Sequence, residues 1–245
     1  MPLFLPHLRF TRLTRYPANT YDLLKSVAVL TMVLDHIGVY LLPEMLWLRV
    51  VGRVAFPIFL FLVGYSGHTR TDPRLLVAAA IVSGLDYLYS GNIFPLNILW
   101  AIALTRFYLG HFSLATARMH LWLMVMGWVV WVPIVAYGTA PLVFGVLGAI
   151  ARELKGNPSI RFIILLYVLL AAQMATQLLS FNFDPLQQMT TVGIGVGLAW
   201  SFSRFQVRAV SLPTPLLFLS RYALEVYVLH LVVLVAIALF GRGGG

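Results

Sequence analysis

The segment from about Leu23 to Leu42 is a nearly continuous run of apolar residues that reads LLKSVAVLTMVLDHIGVYLL. A helix crosses the hydrocarbon of a bilayer with about 20 mostly apolar residues, so this segment is long enough to span a membrane. It nevertheless carries Asp35 and His36 well inside the run. A charged side chain at that depth costs roughly 3 kcal/mol on insertion scales. The pair therefore indicates a functional site, the alternative being a polar pair held by neighbouring helices for packing.

Composition places the whole chain among polytopic membrane proteins. Of its 245 residues, 60% are hydrophobic and 10% are charged, and the mean hydropathy is +0.89. Soluble domains carry about 25% charged residues. The chain contains no cysteine, which excludes a disulfide framework and a thiolate metal site. No metal site of any kind is predicted.

Apolar runs along the chain predict about nine transmembrane helices, within a range of eight to ten, and hence an all-α polytopic membrane protein. The runs cover residues 22–42, 47–69, 74–90, 92–111, 119–136, 138–153, 161–180, 186–203 and 215–240. We expect residues 1–21 to form a cytoplasmic N-terminal segment, residues 22–240 a single transmembrane domain and residues 241–245 a disordered tail. Pro57 should kink the second helix, because proline removes a backbone hydrogen bond.

The basic residues give an orientation. If the N-terminus is cytoplasmic, nine spans place twelve of the seventeen Lys and Arg residues on the cytoplasmic side. They are Arg9, Arg12, Arg15, Arg70, Arg74, Arg106, Arg118, Arg152, Lys155, Arg161, Arg204 and Arg208. Such a bias satisfies the positive-inside rule. It explains the net charge of +9 without nucleic acid, and it predicts a multi-pass protein whose C-terminus lies outside.

Polar residues from five of these segments fall at a similar depth in the outer half of the membrane. They are Asp35, His36, Arg53, Asp86, Asn97 and His230. Lys25 precedes His36 by eleven residues, or three helical turns, so it lies on the same stripe about 16 Å nearer the cytoplasm. A cation at the cytoplasmic end of the helix, Lys25, and a deeper imidazole, His36, would suit an anionic cofactor that enters from the cytoplasm. The alternative is that Lys25 extends to lipid phosphates.

The residue types in this layer suit acyl transfer. A neutral imidazole such as that of His36 can take the proton of an acceptor, or it can itself accept the acyl group. Asp35 points about 100° away from His36 on a helix, so we expect it to act across the bundle, on Arg53 or on the acceptor. Arg53 can keep Asp35 ionised or stabilise an oxyanion. His230 is either a second site histidine or a core residue.

Two neighbouring motifs resemble the TraX family. The first is Asp-His-x-Gly with a preceding Lys and Met, and the second is Arg-x-x-Gly-Arg-x-Ala-Phe-Pro-Ile-Phe, together covering about 50 residues. The matching residues are Lys25, Met32, Asp35, His36, Gly38, Arg49, Gly52, Arg53, Ala55, Phe56, Pro57, Ile58 and Phe59. Family members commonly carry an acidic or amide residue at the position of Gly84. Two alternatives follow: Asp86, two residues later, substitutes for it, or that contact is lost in this chain. The segment from Ser220 to His230 is similar to the last helix of many membrane acyltransferases.

The resemblance implies a membrane acyltransferase of the bacterial inner membrane. Its donor would be cytoplasmic acetyl-CoA, and its acceptor an amine or hydroxyl on a periplasmic protein or glycan, as in the N-terminal acetylation of conjugative pilin. His36, Asp35 and Arg53 would be catalytic. The residues expected to bind donor or acceptor are Lys25, Arg49, Asp86, Asn97 and His230. Membrane lipids are further expected partners, and the oligomeric state stays open.

Two other classes of function are compatible with the same residues. A proton-coupled transporter would use Asp35 and His36 as a proton relay. A haem protein would use His36 and His230 as axial ligands from two helices.

Overall fold

The computed structural model describes residues 16–94, 96–130 and 138–242, which form eleven helices. The helices are α1 (Thr20–Tyr40), α2 (Leu46–Gly52), α3 (Ala55–Ser66), α4 (Pro73–Ser90), α5 (Ile98–His111), α6 (Leu114–Val130), α7 (Ala140–Leu154), α8 (Ile160–Ser180), α9 (Pro185–Ser203), α10 (Thr214–Arg221) and α11 (Ala223–Arg242). No strand occurs among these residues, so the predicted all-α class is confirmed for them. Most of the predicted N-terminal segment, the end of the fifth run and the last three residues lie outside the described residues.

Each of the nine predicted runs contains a helix, but two of the runs are divided. The second run holds both α2 and α3, and the last run holds both α10 and α11. By length and composition, four stretches of the described residues can cross a membrane: Thr20–Tyr40, Leu46–Ser66, Ile160–Ser180 and Ala223–Gly241. The protein therefore has the character of a membrane protein. The count of nine spans and the orientation stay predictions.

Proline explains the division of the second run. Pro57 lies in the first turn of α3, and α2 ends at Gly52. A proline ring collides with the carbonyl four residues earlier and has no N–H to donate to it, and that carbonyl belongs to Arg53. The helix is therefore interrupted at Arg53 and Val54 rather than bent at Pro57 itself.

Helix α3 lies at the centre of the fold, and nearly all of its residues are buried. It packs closely on α7 through glycines: a Cβ on Gly148 would stand 2.8 Å from the backbone nitrogen of Tyr65 and 2.9 Å from the carbonyl carbon of Phe61. Small residues allow such approaches between helices in membranes. On another side of α3, the ring of Phe61 stacks on that of Phe202 from α9 at 4.1 Å between centroids.

A second group of buried apolar residues joins α1, α4, α5 and α11. Hydrogen bonds to Asp22 fix the last two helices beside α1. The Ser220 hydroxyl donates to Asp22 Oδ1 over 2.8 Å, and Arg221 Nη2 lies 3.5 Å from Asp22 Oδ2. The Ser26 hydroxyl also donates to the Leu216 carbonyl over 2.6 Å. These contacts hold α10 against α1, and α11 begins at Ala223, directly after α10, and packs beside α1 up to the predicted site.

Candidate functional site

Two glycines allow α2 to pack directly against the Asp-His part of α1. A Cβ on Gly52 would lie 2.7 Å from Asp35 Cα and 2.5 Å from Asp35 Oδ1. A Cβ on Gly38 would lie 3.0 Å from Leu48 Cβ. Contacts this short are not available to any larger residue without movement of a helix. The glycines of the two motifs are therefore the reason that the charged residues of α1 and α2 meet.

Asp35 is buried and forms an ion pair with two arginines of the second run. Arg49 Nη1 lies 3.0 Å from Asp35 Oδ2 and also donates to the Asp35 backbone carbonyl over 3.1 Å. Arg53 Nε lies 3.9 Å from Asp35 Oδ1. The sequence pointed to Arg53 as the partner of Asp35, whereas the structure gives the closer contact to Arg49. Asp35 and His36 each bond to other helices of the described chain and not to one another, as expected for adjacent residues on a helix.

An aromatic ring covers both arginines from the loop between α8 and α9. The Arg49 and Arg53 guanidinium carbons lie 5.4 Å and 5.0 Å from the centroid of the Phe181 ring. Cation–π contacts at these distances contribute about 0.5–2 kcal/mol, more when water is excluded. Phe181 therefore holds the cations in place beside Asp35. No feature of the sequence brings this residue to the site, because it lies far from both motifs along the chain.

His36 and His230 are joined by a hydrogen bond between their rings. His36 Nδ1 lies 2.7 Å from His230 Nε2, and His230 Nδ1 lies 2.8 Å from the Val226 carbonyl oxygen. A carbonyl only accepts, so His230 Nδ1 carries a proton. In the neutral pair, His230 Nε2 then accepts from His36 Nδ1, which leaves the lone pair of His36 on Nε2. The chain of hydrogen bonds thus assigns one tautomer to each ring.

A cavity of about 450 Å³ opens beside this pair in the half of the bundle predicted to face outward. Its lining includes Asp35, His36, Arg49, Asp86 and Asn97. The structure thus gathers most of the residues predicted to share a layer. Arg53 contacts Asp35 and His230 contacts His36, so both adjoin the cavity through a residue that lines it. Their roles stay predictions.

Aromatic residues surround the Asp86 side of this outer cavity. The Tyr40 hydroxyl donates to Asp86 Oδ1 over 3.3 Å, and the Tyr40 ring packs edge-on against that of Tyr89 at 4.8 Å between centroids. Phe94 and Tyr227 complete the aromatic lining. Within the described part of the chain, no Lys, Arg or His pairs with the Asp86 carboxylate. A carboxylate among aromatic rings is an environment that suits a cationic or polar ligand.

Asn97 uses its side chain to build the outer cavity. Its Oδ1 accepts from the Leu99 N–H over 3.1 Å, which caps α5. Its Nδ2 donates to the Ala79 carbonyl and to the Ser83 hydroxyl, each over 3.0 Å. The predicted fourth run begins at residue 92, but α5 begins only after this cap. The contacts give Asn97 a positioning role, which the sequence did not distinguish from ligand binding.

A second cavity, of about 230 Å³, lies at the opposite end of the same helices. Lys25, Asp72 and Arg106 line it at the end predicted to be cytoplasmic, and its remaining walls are mostly apolar. Ile98 and Tyr227 line both cavities and so lie between them. The Tyr227 ring is also 5.7 Å from that of His36, measured between centroids. His36 therefore lines the outer cavity and lies next to Tyr227, a residue that lines both cavities.

Arg106 is the residue of this inner cavity that sequence reasoning missed. Its Nε is buried and donates to no residue that the structure describes. The sequence treated Arg106 only as one of the cytoplasmic charges that set orientation. The signal that could have found it is its place inside the predicted run 92–111, five residues before the end. A charge inside an apolar run indicates a polar environment.

The histidine pair does not fit haem ligation. Metal–nitrogen bonds of about 2 Å would hold two axial imidazole nitrogens about 4 Å apart, whereas the facing nitrogens of His36 and His230 lie 2.7 Å apart. In residues 16–94, 96–130 and 138–242, no group of three or more His, Cys, Asp or Glu side chains could hold a metal ion.

Comparison with known proteins gives one family and one curated relative. The model of the TraX protein family matches residues 20–238. A protein of Rickettsia prowazekii (strain Madrid E), described as uncharacterized protein RP591, is 32% identical over 145 residues, which are 57% of this chain and 58% of that protein. No solved structure matches the chain. Because the family model covers nearly all of the helices, including both motifs and His230, the chain belongs to the TraX family.

Proposed function

We propose that this protein is a multi-pass acyltransferase of the bacterial inner membrane. It would transfer an acetyl group from cytoplasmic acetyl-CoA to an amine at the opposite face. The observation that carries the proposal is the hydrogen-bonded pair of His36 and His230. His36 lines the cavity with acidic and aromatic residues, and the neighbouring Tyr227 also lines the cavity with basic residues. TraX membership supports the same activity, because the resemblance to that family implies membrane acetyl transfer and the segment from Ser220 to His230 is similar to the last helix of many membrane acyltransferases.

The assigned tautomers give His36 the role of general base. His36 Nε2 takes the proton of the acceptor amine while the amine nitrogen attacks the thioester carbonyl carbon. A carbon–nitrogen bond forms, the carbon–sulfur bond breaks, and the proton on His36 passes to the departing thiolate. His230 holds the His36 ring in the required tautomer and shares the positive charge that develops on it. Arg49 lines the same cavity and can stabilise the oxyanion.

The outer cavity favours an amine as the acceptor. Asp35 is neutralised by Arg49 and Arg53, while Asp86 faces the cavity without a cationic partner among the described residues. Asp86, with Tyr40 and Tyr89 around it, can therefore bind the acceptor as an ammonium ion. The ammonium releases one proton to water, and the neutral amine gives its second proton to His36 as it attacks. The N-terminus of a pilin-like protein is the acceptor of this kind that the family resemblance implies.

The test is acetyl transfer by the purified protein in liposomes, with radiolabelled acetyl-CoA and a peptide that has a free N-terminus. We expect His36→Gln to lower the rate by about 10²–10⁴-fold, which is the usual contribution of a general base. His111→Gln is the matched control, because His111 lines neither cavity and, within the described ranges, its ring hydrogen-bonds the Phe107 carbonyl alone. Transfer by the His36→Gln protein at the wild-type rate would refute the mechanism.

Two further outcomes separate the remaining alternatives. An acetylated His36 peptide that accumulates without acceptor, detected by mass spectrometry, would replace the base mechanism with an acyl-imidazole intermediate. Proton-coupled solute flux through liposomes without any consumption of acetyl-CoA would favour the transporter.

A further inference from the structure

The inner cavity has the charge and dimensions of a site for a phosphate attached to a long, weakly polar arm. Arg106 supplies a guanidinium whose Nε is buried without a hydrogen-bond partner among the described residues. Lys25 of α1 lines the same cavity. The carboxylate of Asp72 is engaged by the Arg74 backbone N–H as a helix cap. The polar end of the cavity therefore favours an anion.

The depth of the site gives the length of its ligand. Lys25 and His36 lie on one helix about 16 Å apart along its axis. Arg106 lies nine residues beyond Asn97 on α5, so it is about 13 Å deeper toward the cytoplasm than that wall of the outer cavity. Between these levels the walls are side chains such as Met32, Phe59 and Ile102. The ligand must therefore carry about 15 Å of slender, mostly apolar chain between its anion and its reactive end.

We propose that the inner cavity is a 4′-phosphopantetheine site in which Arg106 binds the phosphate. The arm from the phosphate oxygen to the sulfur has roughly thirteen bonded atoms, equivalent to about four peptide residues, and extends about 15 Å. With its phosphate at Arg106 and Lys25, its sulfur reaches the level of His36. The inference rests on the proposed acyltransferase function and goes beyond it: the arm, rather than the nucleotide of CoA, is the recognised part.

This assignment predicts which donors the protein accepts. A cavity of about 230 Å³ is smaller than the usual 300–1,000 Å³ of sites that enclose a drug-sized ligand. The adenosine part of CoA would thus remain at the cytoplasmic surface. Any thioester carried on 4′-phosphopantetheine meets the same requirement, whether the arm belongs to CoA or to an acyl carrier protein.

Binding measurements on the full-length protein in detergent test the site without any transfer. The ligands are CoA, free 4′-phosphopantetheine, pantetheine without phosphate and adenosine 3′,5′-bisphosphate. We expect 4′-phosphopantetheine to bind within about tenfold of CoA, and pantetheine to bind about 10–100-fold more weakly, the range for a charge-assisted hydrogen bond. The bisphosphate should not compete. Competition by the bisphosphate as strong as that by CoA would overturn the proposal.

Variants then identify the phosphate anchor. Arg106→Gln should reduce the affinity for 4′-phosphopantetheine to that for pantetheine, while leaving the affinity for pantetheine unchanged. Arg118→Gln is the matched control, because Arg118 forms an exposed ion pair with Glu153 at 2.7 Å, away from the cavity. Unchanged phosphopantetheine affinity in Arg106→Gln would refute its role. If that variant does not fold, the ligand series on the wild-type protein still decides the proposal.

Two further experiments distinguish the possible carriers of the phosphopantetheine arm and separate this inference from the proposed function. Holo acyl carrier protein should bind and its apo form should not, if a carrier protein can present the arm; binding of CoA alone would restrict the donor to CoA. His36→Gln should bind 4′-phosphopantetheine like wild type. Binding without transfer by the wild-type protein would therefore refute the proposed function alone, and transfer without phosphate-dependent binding would refute this inference alone.

Discussion

Replacing Gly52 by alanine should separate α1 from α2 and disrupt the ion pair at Asp35. The new Cβ would lie 2.7 Å from Asp35 Cα, whereas ordinary contacts of a Cβ begin at 3.4 Å. The helices must therefore move apart by at least about 0.7 Å, the difference between these distances, because Asp35 Cβ lies nearer still. The Arg49–Asp35 contact of 3.0 Å would lengthen to about 3.7 Å or more, which exceeds a normal N–H···O hydrogen bond.

Two costs add in this variant. Overpacking of a tight contact costs about 1–3 kcal/mol, and the loss of a hydrogen bond to a charged group costs about 1.5–3 kcal/mol. We therefore expect the free energy of unfolding to fall by about 2.5–6 kcal/mol, the sum of the two ranges. Thermal unfolding of the detergent-purified protein, followed by intrinsic tryptophan fluorescence, measures the effect as a lower midpoint.

Gly193→Ala provides the control for the same substitution. Gly193 lies in α9, and a Cβ there would meet nothing within 4 Å. Alanine is favoured over glycine in a helix by about 1 kcal/mol, so this variant should be as stable as wild type or slightly more stable. Equal unfolding midpoints for the Gly52 and Gly193 variants would show that α1 and α2 do not depend on the close contact.

Three further predictions concern Phe181, Asn97 and the membrane topology. Phe181→Leu should lower the rate of acetyl transfer by about 3–30-fold, because the cation–π contacts to Arg49 and Arg53 are lost. Phe181→Trp should keep the rate near that of wild type; equal rates in the two variants would show that transfer does not need the ring. Asn97→Ala should lower the free energy of unfolding by about 1–3 kcal/mol, because it removes a helix cap and leaves the Ala79 and Ser83 partners of Asn97 without its amide. Chemical denaturation that leaves this variant at wild-type stability would contradict that role. Alkaline phosphatase fused after residue 242 should be active, because nine spans from a cytoplasmic N-terminus place the C-terminus outside; activity of a cytoplasmic reporter there instead would refute the count.

The local sequence determined the helical class, the family and the two motif segments. Apolar runs of about 20 residues predict helices directly, because every backbone N–H and C=O inside a membrane must be hydrogen-bonded within its own span. The break before α3 also follows from Pro57, although the prediction of a simple kink did not place it at Arg53. Depth along each helix could be counted from residue numbers, since the rise per residue is constant. The histidines of α1 and α11 could thus be assigned to one level before their contact was known.

Contacts across the bundle were decided only by the tertiary structure. Helical phase does not fix how two helices rotate against each other, so the hydrogen bond between His36 and His230 could not be derived from their depths. The closer partner of Asp35 is Arg49 because Gly38 and Gly52 set the distance between α1 and α2. Phe181 reaches Arg49 and Arg53, and Arg106 reaches the inner cavity, from distant parts of the chain. Their positions depend on packing among helices, which is a property of the whole bundle and not of any segment in it.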